Sequence, residues 1–458
     1  MGKRMHWKSY QKRGACLAAT LLLLNAGVLL AQPQDTMPFL APSVAEAAKV
    51  KADAQGYVPK LVTAQPQEKL DVTQMTISAD AVPVDREATP RTKALLRYLH
   101  GVSGTGKILY GHQNDMHRKV GKALPSDSDT YDLTGDYPAV VGMDGLALTG
   151  NELELTPEEE KEGMTLAKKL AQVAIKADKN GAIVTMSCHM PNFAEVAKRP
   201  KVNGQYDYRG YSPNHTDGNV VARILPGGDL NEVYTGYLDL VATFDGYLQE
   251  ADVPLLFRPF HENMGSWFWW GKDHCTEAEF VQLFRYTEQY LQSKGLHNLL
   301  FVYSPGGGET KSEADYESRW PGNRYIDVCG LDMYARDPEK GDGFLDEEFP
   351  ETLDIVESFA KKHHKVPAVT ETGILCGNSA MAKRGIKYKT WFMDAAKIMA
   401  AHHMAYFMTW SNFDETNFDE PYLVDATRGH EMINEFIDFY NSPISVFAKQ
   451  NGDWYASE

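Results

Sequence analysis

Residues 255–303 read LLFRPFHENMGSWFWWGKDHCTEAEFVQLFRYTEQYLQSKGLHNLLFVY, with apolar runs at 255–261 and 299–303. Between these runs, the apolar residues of 277–294 recur at i, i+3 and i+4 spacing, which is typical of an amphipathic helix. Near-continuous apolar strands separated by helices indicate a parallel sheet whose outer side is covered. This stretch therefore predicts one strand–helix–strand unit of an α/β protein.

The same unit recurs along the chain. Further helical stretches lie at 164–179, 351–363 and 389–402, and the strand candidates are 108–112, 139–144, 182–189, 255–261, 299–303, 327–334, 368–371 and 405–410. Eight units predict a (β/α)8 TIM barrel as the single catalytic domain at 89–448, followed by a tail at 449–458. An open doubly wound sheet is the alternative, but the glycine-rich motifs of its common nucleotide sites are absent from the sequence.

The first fifty residues differ from the rest of the chain. Five basic residues lie within 3–13, and 15–31 is apolar apart from Thr20 and Asn25, as in a secretory signal. An A-x-A pattern at 45–47 predicts a signal peptide at 1–47, with a poorer cleavage site at 29–31. An uncleaved anchor is the alternative, because the apolar run is at the short limit for a span. Residues 48–88 are predicted to be a linker or an extended arm.

The charge and the aromatic content of the chain limit the kinds of protein that it can be. The chain has 46 basic and 62 acidic residues, and this net charge of −16 argues against a nucleic-acid-binding protein. The 23 Tyr, 19 Phe and 8 Trp can build a large core. We expect a secreted monomer, extracellular or at the periplasm or cell surface, with no membrane contact after the signal is removed.

Cysteine use does not indicate a disulfide scaffold or a zinc site. The chain has five Cys in 458 residues, and their spacings match no metal or redox motif. Cys275 and Cys376 lie in loops that are predicted to share the functional face, so one disulfide there is an open alternative.

Two glutamates end predicted strands on opposite sides of the barrel. Glu262 follows the fourth strand and Glu371 ends the seventh, 109 residues later, which is three strand–helix units. Because TIM-barrel sites lie at the carboxyl ends of the strands, both side chains should reach one cleft. Glycoside hydrolysis needs two such carboxyls, one protonated and one ionised. Arg258, a cation in a buried strand, is predicted to pair with Glu371.

The residues after the fourth strand favour a sugar over a metal. An H-E-x-x-H zinc motif starting at His261 would need a second His where the chain has Gly265, so no metal or cofactor is expected. The aromatic run at 267–270 could stack on sugar rings. We expect Trp267 to face the ligand and at least one other Trp to pack inward.

Other strand ends bring polar and aromatic groups to the same rim. They are His112 at the end of the first strand, His189 at the end of the third, Asp332 and Tyr334 at the end of the sixth, and Trp410 at the end of the eighth. A purely structural barrel end would not need this concentration of hydrogen-bonding and stacking groups.

These motifs resemble glycoside hydrolase family 26, the family dominated by β-mannanases. The match rests on 258–271 as acid/base signature, 370–373 as nucleophile motif, and the segments 327–334, 111–113 and 187–190. It covers about residues 90–445. The resemblance implies a retaining mechanism with Glu262 as acid/base and Glu371 as nucleophile.

The resemblance also implies supporting roles. Arg258 and Tyr334 would orient the nucleophile, and Trp410 and Trp267 would stack on the sugars before and after the cleaved bond. Contacts to the sugar at the cleavage point would come from His261, His189 and Asp332.

The substrate is expected to be mannan, glucomannan or galactomannan, cut internally at β-1,4 bonds. Alternatives are β-1,3-xylan, mixed-linkage β-glucan, exo-acting release of mannobiose, and an inactive carbohydrate-binding barrel. The acidic stretch 412–422 matches no family pattern and leaves endo or exo action open.

Overall fold

The computed structural model describes residues 64–457, apart from residue 123 and the segments 337–342, 376–388, 414–421 and 425–431. The predicted signal peptide, Cys376 and most of the acidic stretch lie outside the described residues. All described residues belong to one compact unit, Pro38–Glu458. None of the helices in the described part of the chain combines the length and apolar character needed to cross a bilayer.

The strands form the predicted parallel barrel. In chain order they are β1 (Ile108–Gln113), β2 (Val140–Asp144), β3 (Ile183–Ser187), β4 (Leu255–Arg258), β5 (Leu299–Tyr303), β6 (Val328–Cys329), β7 (Val366–Pro367), β8 (Val369–Thr372), β9 (Tyr406–Thr409) and β10 (Ser445–Val446). Strands β1 to β7 pair in chain order, β8 pairs with β9, and β9 returns to β1. Only Ala368 separates β7 from β8, so these two strands fill one of the eight positions in the ring.

Helices surround this ring. Within the described residues they are α1 (Pro90–Ser103), α2 (Asp129–Thr134), α3 (Pro157–Lys161), α4 (Leu166–Lys179), α5 (Phe193–Val196), α6 (Val220–Ile224), α7 (Asn231–Glu250), α8 (Glu277–Ser293), α9 (Glu313–Glu317), α10 (Phe349–His363), α11 (Trp391–Ala401) and α12 (Ile433–Tyr440). Local sequence explains where they begin. A capping box joins Thr276 to Glu279 at the start of α8, and Thr89 caps α1, whose first residue is proline.

Besides the division of the predicted strand 368–371 into β7 and β8, two features of the barrel differ from the sequence prediction. The sixth strand, predicted at 327–334, keeps regular pairing only over Val328–Cys329, and then single bridges join Asp332 to Gly306 and to Glu371. These bridges bring the chain after β6 into the barrel mouth. The added strand β10, which the sequence analysis missed, pairs with β1 and is only two residues long.

The two ends of the barrel are built differently. At the bottom, apolar residues of α1 such as Leu95 and Leu99 pack in one cluster with barrel residues such as Leu256 and Leu300. The arm and the chain end also meet each other, since Leu70 N donates to Gln450 O at 2.7 Å. The opposite end, where the strands reach their carboxyl termini, carries the polar groups predicted from the sequence.

Candidate active site

The loop after β4 presents Glu262 from a strained backbone. Phe260 and Glu262 have positive φ angles of 53° and 50°, a region that residues with side chains seldom adopt. The loop is held there by Glu262 N, which donates to Ser304 O at 2.8 Å, and by Arg319, which donates to Asn263 O at 2.7 Å. Such strain persists only where the surrounding structure fixes it, and it is typical of functional sites.

The surroundings of Glu262 favour its protonated form. Burial, together with the nearby negative charges of Glu371 and Asp332, raises the pKa of Glu262 to about 8. A hydrogen bond from Trp267 Nε1 to Glu262 Oε2, at 2.6 Å, acts in the opposite direction on this pKa but does not outweigh the burial. Glu262 therefore carries a proton at neutral pH, while its carboxyl still reaches the cleft.

Glu371 has the opposite surroundings. It lies within β8, is 4% exposed, and accepts hydrogen bonds from the Arg258 guanidinium and from Tyr334 Oη, the latter at 2.8 Å. Hydrogen bonds from a cation and a hydroxyl favour the charged carboxylate. The predicted pair between Arg258 and Glu371 is present in the structure.

The acidic groups lie close together. One carboxylate oxygen from each of Glu262, Asp332 and Glu371 lies within 4.8 Å of the other two. This spacing fits the short carboxyl separation of retaining glycosidases, roughly 5–5.5 Å, rather than the 6.5–9.5 Å or so of inverting ones. Three carboxylates could also hold a cation, but the Arg258 guanidinium already supplies a positive charge to two of them.

Asp332 is buried at the barrel mouth, among the residues that line the cleft with Glu262 and Trp267. Its side chain has no exposed surface, and its oxygens accept from Arg258 Nη1 at 2.8 Å, Ser304 Oγ at 2.6 Å and Thr370 Oγ1 at 2.6 Å. With both oxygens occupied, Asp332 holds Arg258 in place, and its contact with a sugar stays a prediction. Its bridge to Glu371 places it beside that residue at the barrel mouth.

Two histidines lie next to Glu371. The Nε2 atoms of His261 and His189 are 3.2 Å apart, and His261 Nε2 is 4.0 Å from Glu371 Oε1. The ring of Trp410, which is partly exposed, lies 5.5 Å from the His189 ring, centroid to centroid. The structure thus brings these three predicted residues into one cluster beside the glutamates.

The aromatic run at 267–270 divides as predicted. Trp267 is partly exposed and lines a cleft with Glu262, Tyr334 and Arg336. Trp269 and Trp270 are fully buried, and Trp270 Nε1 donates to His261 O at 2.8 Å. The inward tryptophans therefore fix the loop that carries Glu262, and the outward one faces the cleft.

His112 is placed less directly at the site. It is 1% exposed, and its Nδ1 lies 2.7 Å from Asp115 Oδ1. Its contact with a ligand stays a prediction. Cys275 is a buried free thiol, whereas Cys376 lies outside the described residues.

Sequence analysis missed several residues that support the site. Asp144 ends β2 and accepts from His189 Nδ1 at 2.8 Å, Ser304 follows β5 and contacts Asp332, and Arg319 ties the loop after β4 to its neighbours. The rule that functional groups end barrel strands would have identified Asp144 and Ser304 if it had been applied to the second and fifth strands. No sequence signal marks Arg319.

Comparison with known proteins agrees with this geometry. The sequence matches the family model for Glycosyl hydrolase family 26 over residues 84–422. It is 32% identical over 394 residues to a mannan endo-1,4-beta-mannosidase of Bifidobacterium adolescentis, covering 80% of this chain and 37% of that protein. This chain thus spans little more than a third of that relative's length.

Solved structures give the same picture. The catalytic domain of an endo-beta-1,4-mannanase from Bacillus sp. JAMB-750 is 30% identical, with a TM-score of 0.68, covering 82% of this chain and 95% of that one. A modular endo-beta-1,4-mannanase from Cellulomonas fimi is 31% identical with the same TM-score, 0.68, covering 82% of this chain and 79% of that one. From the family match over most of its length, we conclude that this chain belongs to glycosyl hydrolase family 26.

Proposed function

We propose that this protein is a retaining endo-β-1,4-mannanase, with Glu262 as general acid/base and Glu371 as nucleophile. One observation carries the proposal: two carboxyls in opposite environments lie within 4.8 Å of each other at the barrel mouth. Burial and acidic neighbours favour the protonated form of Glu262, and the carboxylate of Glu371 is paired with the Arg258 guanidinium and with Tyr334 Oη. These are the two states that a double displacement needs at its start.

In the first step, Glu371 attacks the anomeric carbon of the sugar while Glu262 donates its proton to the oxygen of the leaving chain. The glycosidic bond breaks, and a covalent ester forms between the sugar and Glu371. Arg258 and Tyr334 hold the attacking carboxylate in place, and Trp267 lies beside Glu262, where the leaving sugar departs.

In the second step, Glu262 accepts a proton from a water molecule that attacks the same carbon, and Glu371 leaves as a carboxylate. Ester formation removes the negative charge of Glu371, and this charge is one cause of the high pKa of Glu262. The pKa of Glu262 therefore falls in the intermediate, which suits its change of role from acid to base.

The choice of β-mannan as substrate, and of internal cleavage, follows the printed activity of the related proteins, which are named as endo-acting mannanases. The partly exposed Trp267 and Trp410 are suitable surfaces for two sugars on either side of the scissile bond. We propose these stacking roles, and a monomeric enzyme, together with the activity.

The test is reducing-sugar release by the purified protein from β-mannan, glucomannan, β-1,3-xylan and mixed-linkage β-glucan, with product profiles over time. We expect mannan fragments of mixed length at early times. Mannobiose alone from the start would replace endo with exo action. Activity on xylan or glucan only would overturn the choice of sugar, and binding without hydrolysis would indicate an inactive carbohydrate-binding barrel.

We also propose that the protein is secreted after cleavage of residues 1–47. The basic residues at 3–13, the apolar run at 15–31 and the A-x-A pattern at 45–47 support this. Fractionation of the producing cells, followed by amino-terminal sequencing, tests it. Material that remains in the membrane with its first residues intact would contradict cleavage.

A further inference from the structure

Asp144 is a buried carboxylate that no step of the proposed mechanism uses. It ends β2, and its side chain is 1% exposed. Oδ1 accepts from Leu146 N at 2.9 Å and His189 N at 3.0 Å, whereas Oδ2 accepts from Ser187 Oγ at 2.6 Å and His189 Nδ1 at 2.8 Å. Its carboxylate has donors on both oxygens, and His189, which supplies two of these four donors, is the one that leads toward Glu371.

His189 passes this contact on to His261 and Glu371. The two imidazole rings meet edge to face with centroids 4.4 Å apart, and their Nε2 atoms are 3.2 Å from each other. His261 Nε2 is also 4.0 Å from Glu371 Oε1. Asp144, His189, His261 and Glu371 thus form one continuous series of contacts.

The chemistry of Asp144 decides where the protons of this series lie. An ionised carboxylate can only accept, so the His189 nitrogen that faces it, Nδ1, must carry a proton. In the neutral ring, His189 Nε2 is then a bare acceptor. The nitrogen that faces it, His261 Nε2, must donate, because two bare nitrogens at 3.2 Å would make no hydrogen bond.

In the described part of the chain, the second ring nitrogen of His261, Nδ1, makes no hydrogen bond that would compete for the proton on Nε2. His261 Nδ1 is buried and has no hydrogen-bond partner among the described residues. Within these residues that atom lacks a partner in either tautomer, so it gives no reason for the proton to leave Nε2. A proton on Nε2 has His189 Nε2 at 3.2 Å and Glu371 Oε1 at 4.0 Å as neighbouring acceptors.

Charges around His189 and His261 shift their pKa values and so decide the pH at which their tautomers can be measured. Burial lowers the pKa of His189, but the negative charges of Asp144, Glu371 and Glu152 outweigh it, so that this pKa is raised. Burial, His189 and Arg258 hold the pKa of His261 well below its usual range. An added proton therefore goes to His189, and the neutral pair is best observed at alkaline pH.

We propose that Asp144 is a positioning residue, which fixes the proton of His189 on Nδ1 and thereby leaves His261 Nε2–H as the single proton between the two rings, beside Glu371. The inference rests on the proposed function only for its kinetic consequence. The tautomers of the two histidines can be measured without any substrate.

The variant Asp144→Asn inverts this arrangement without a change of shape. Its amide oxygen can still accept from Leu146 N and His189 N, so the local turn is retained. Its NH2 group then faces His189 Nδ1, which must become bare, and the proton of His189 moves to Nε2. The matched control is Ser187→Ala, which removes another donor to the same oxygen but keeps the carboxylate.

The measurement is nitrogen NMR of isotopically labelled histidine at alkaline pH, with assignments from His189→Gln and His261→Gln. In the unmodified protein and in Ser187→Ala, we expect protons on His189 Nδ1 and His261 Nε2. In Asp144→Asn we expect the His189 proton on Nε2. Finding it on Nε2 in the unmodified protein would overturn the inference, even if the Asn variant did not fold.

Kinetics on mannan complete the test. Because a small misplacement near reacting groups can cost on the order of 100-fold in rate, we expect a loss of about that size in kcat for Asp144→Asn and little change for Ser187→Ala. An inverted tautomer with full kcat, or a lost kcat without inversion, would overturn the positioning role. An unmodified protein inactive on mannan would contradict the proposed function, while the spectra would still test the tautomer.

Discussion

Glu262 and Glu371 are the same side chain in two different environments. Glu262 stands on a loop with positive φ, and its carboxyl receives a hydrogen bond from an indole N–H. Glu371 lies inside a strand, is 4% exposed, and receives hydrogen bonds from a guanidinium and a phenol. In the proposed mechanism, the groups around each carboxyl, and the position of Arg258 in particular, therefore distinguish the proton donor from the nucleophile.

The largest expected effect comes from removing the ionised member of the pair. Glu371→Ala should reduce mannan hydrolysis to background with the fold intact, because no other group in the proposed mechanism forms the ester. Initial rates and thermal unfolding check this. The matched control is Glu313→Ala, which removes a glutamate from a surface ion pair with Lys362 and should keep full activity. Measurable turnover by Glu371→Ala would sink the nucleophile assignment.

Removing the protonated member should give a substrate-dependent loss. Glu262→Ala should lower the rate on mannan by about 100- to 10,000-fold, since its sugar leaving group needs a proton. Aryl mannosides with good leaving groups should lose far less in the glycosylation step. Comparison of single-turnover rates on the two substrates checks this. Equal losses on both would count against Glu262 as the acid.

Arg258 pairs with Glu371 and not with Glu262, so its removal should make the surroundings of the two carboxyls more alike. Arg258→Ala leaves the buried carboxylates of Glu371 and Asp332 without their cation. We expect a fall of about 3–5 kcal/mol in the free energy of unfolding, together with a large loss of activity. Denaturant titration checks the first part. Arg258→Lys keeps the charge but not the two-pronged geometry, so it should recover stability more than rate. A fully stable, fully active alanine variant would contradict this role.

The smallest expected effect is a shift in the pKa of Glu262 when the hydrogen bond from Trp267 is removed. The hydrogen bond from Trp267 lowers the pKa of this group, so Trp267→Phe should raise it further. The alkaline limb of kcat/KM should then move to higher pH by less than about one unit. Trp320→Phe, in the outer layer against Phe359, is the control and should leave the limb in place. A shift to lower pH in the Trp267 variant would reverse our account of that hydrogen bond.

Much of this contrast is predictable from the sequence, because barrel topology places strand ends together. Glu262, Glu371 and the pairing of Arg258 with Glu371 follow from strand order and from the need of a buried cation for a partner. The outward and inward division of Trp267 and Trp269 follows from their position after a strand tip. These features depend on the carboxyl ends of the strands, which the apolar pattern marks well.

The rest depends on distances that no pattern encodes. Strand order places Asp332 beside Glu371, but sequence spacing does not show that both carboxylates share Arg258, because this depends on side-chain distances. The division of one barrel position into β7 and β8 also escapes the apolar pattern, although Pro367, which has no backbone N–H, is a local reason for the short ladder. Strand order places Asp144 near His189, but their hydrogen bond depends on side-chain distances at the ends of β2 and β3.

The most direct test of the account is the titration of Glu262 itself, by carbon NMR of labelled glutamate side chains, in the unmodified protein and in Glu371→Gln. We predict a pKa of about 8 in the unmodified protein. The pKa should fall in the variant, because one negative neighbour is lost, yet stay above the ordinary glutamate value, because burial remains the leading cause. An ordinary value in the unmodified protein, or no change in the variant, would contradict the claim that the surroundings of the two carboxyls divide their roles.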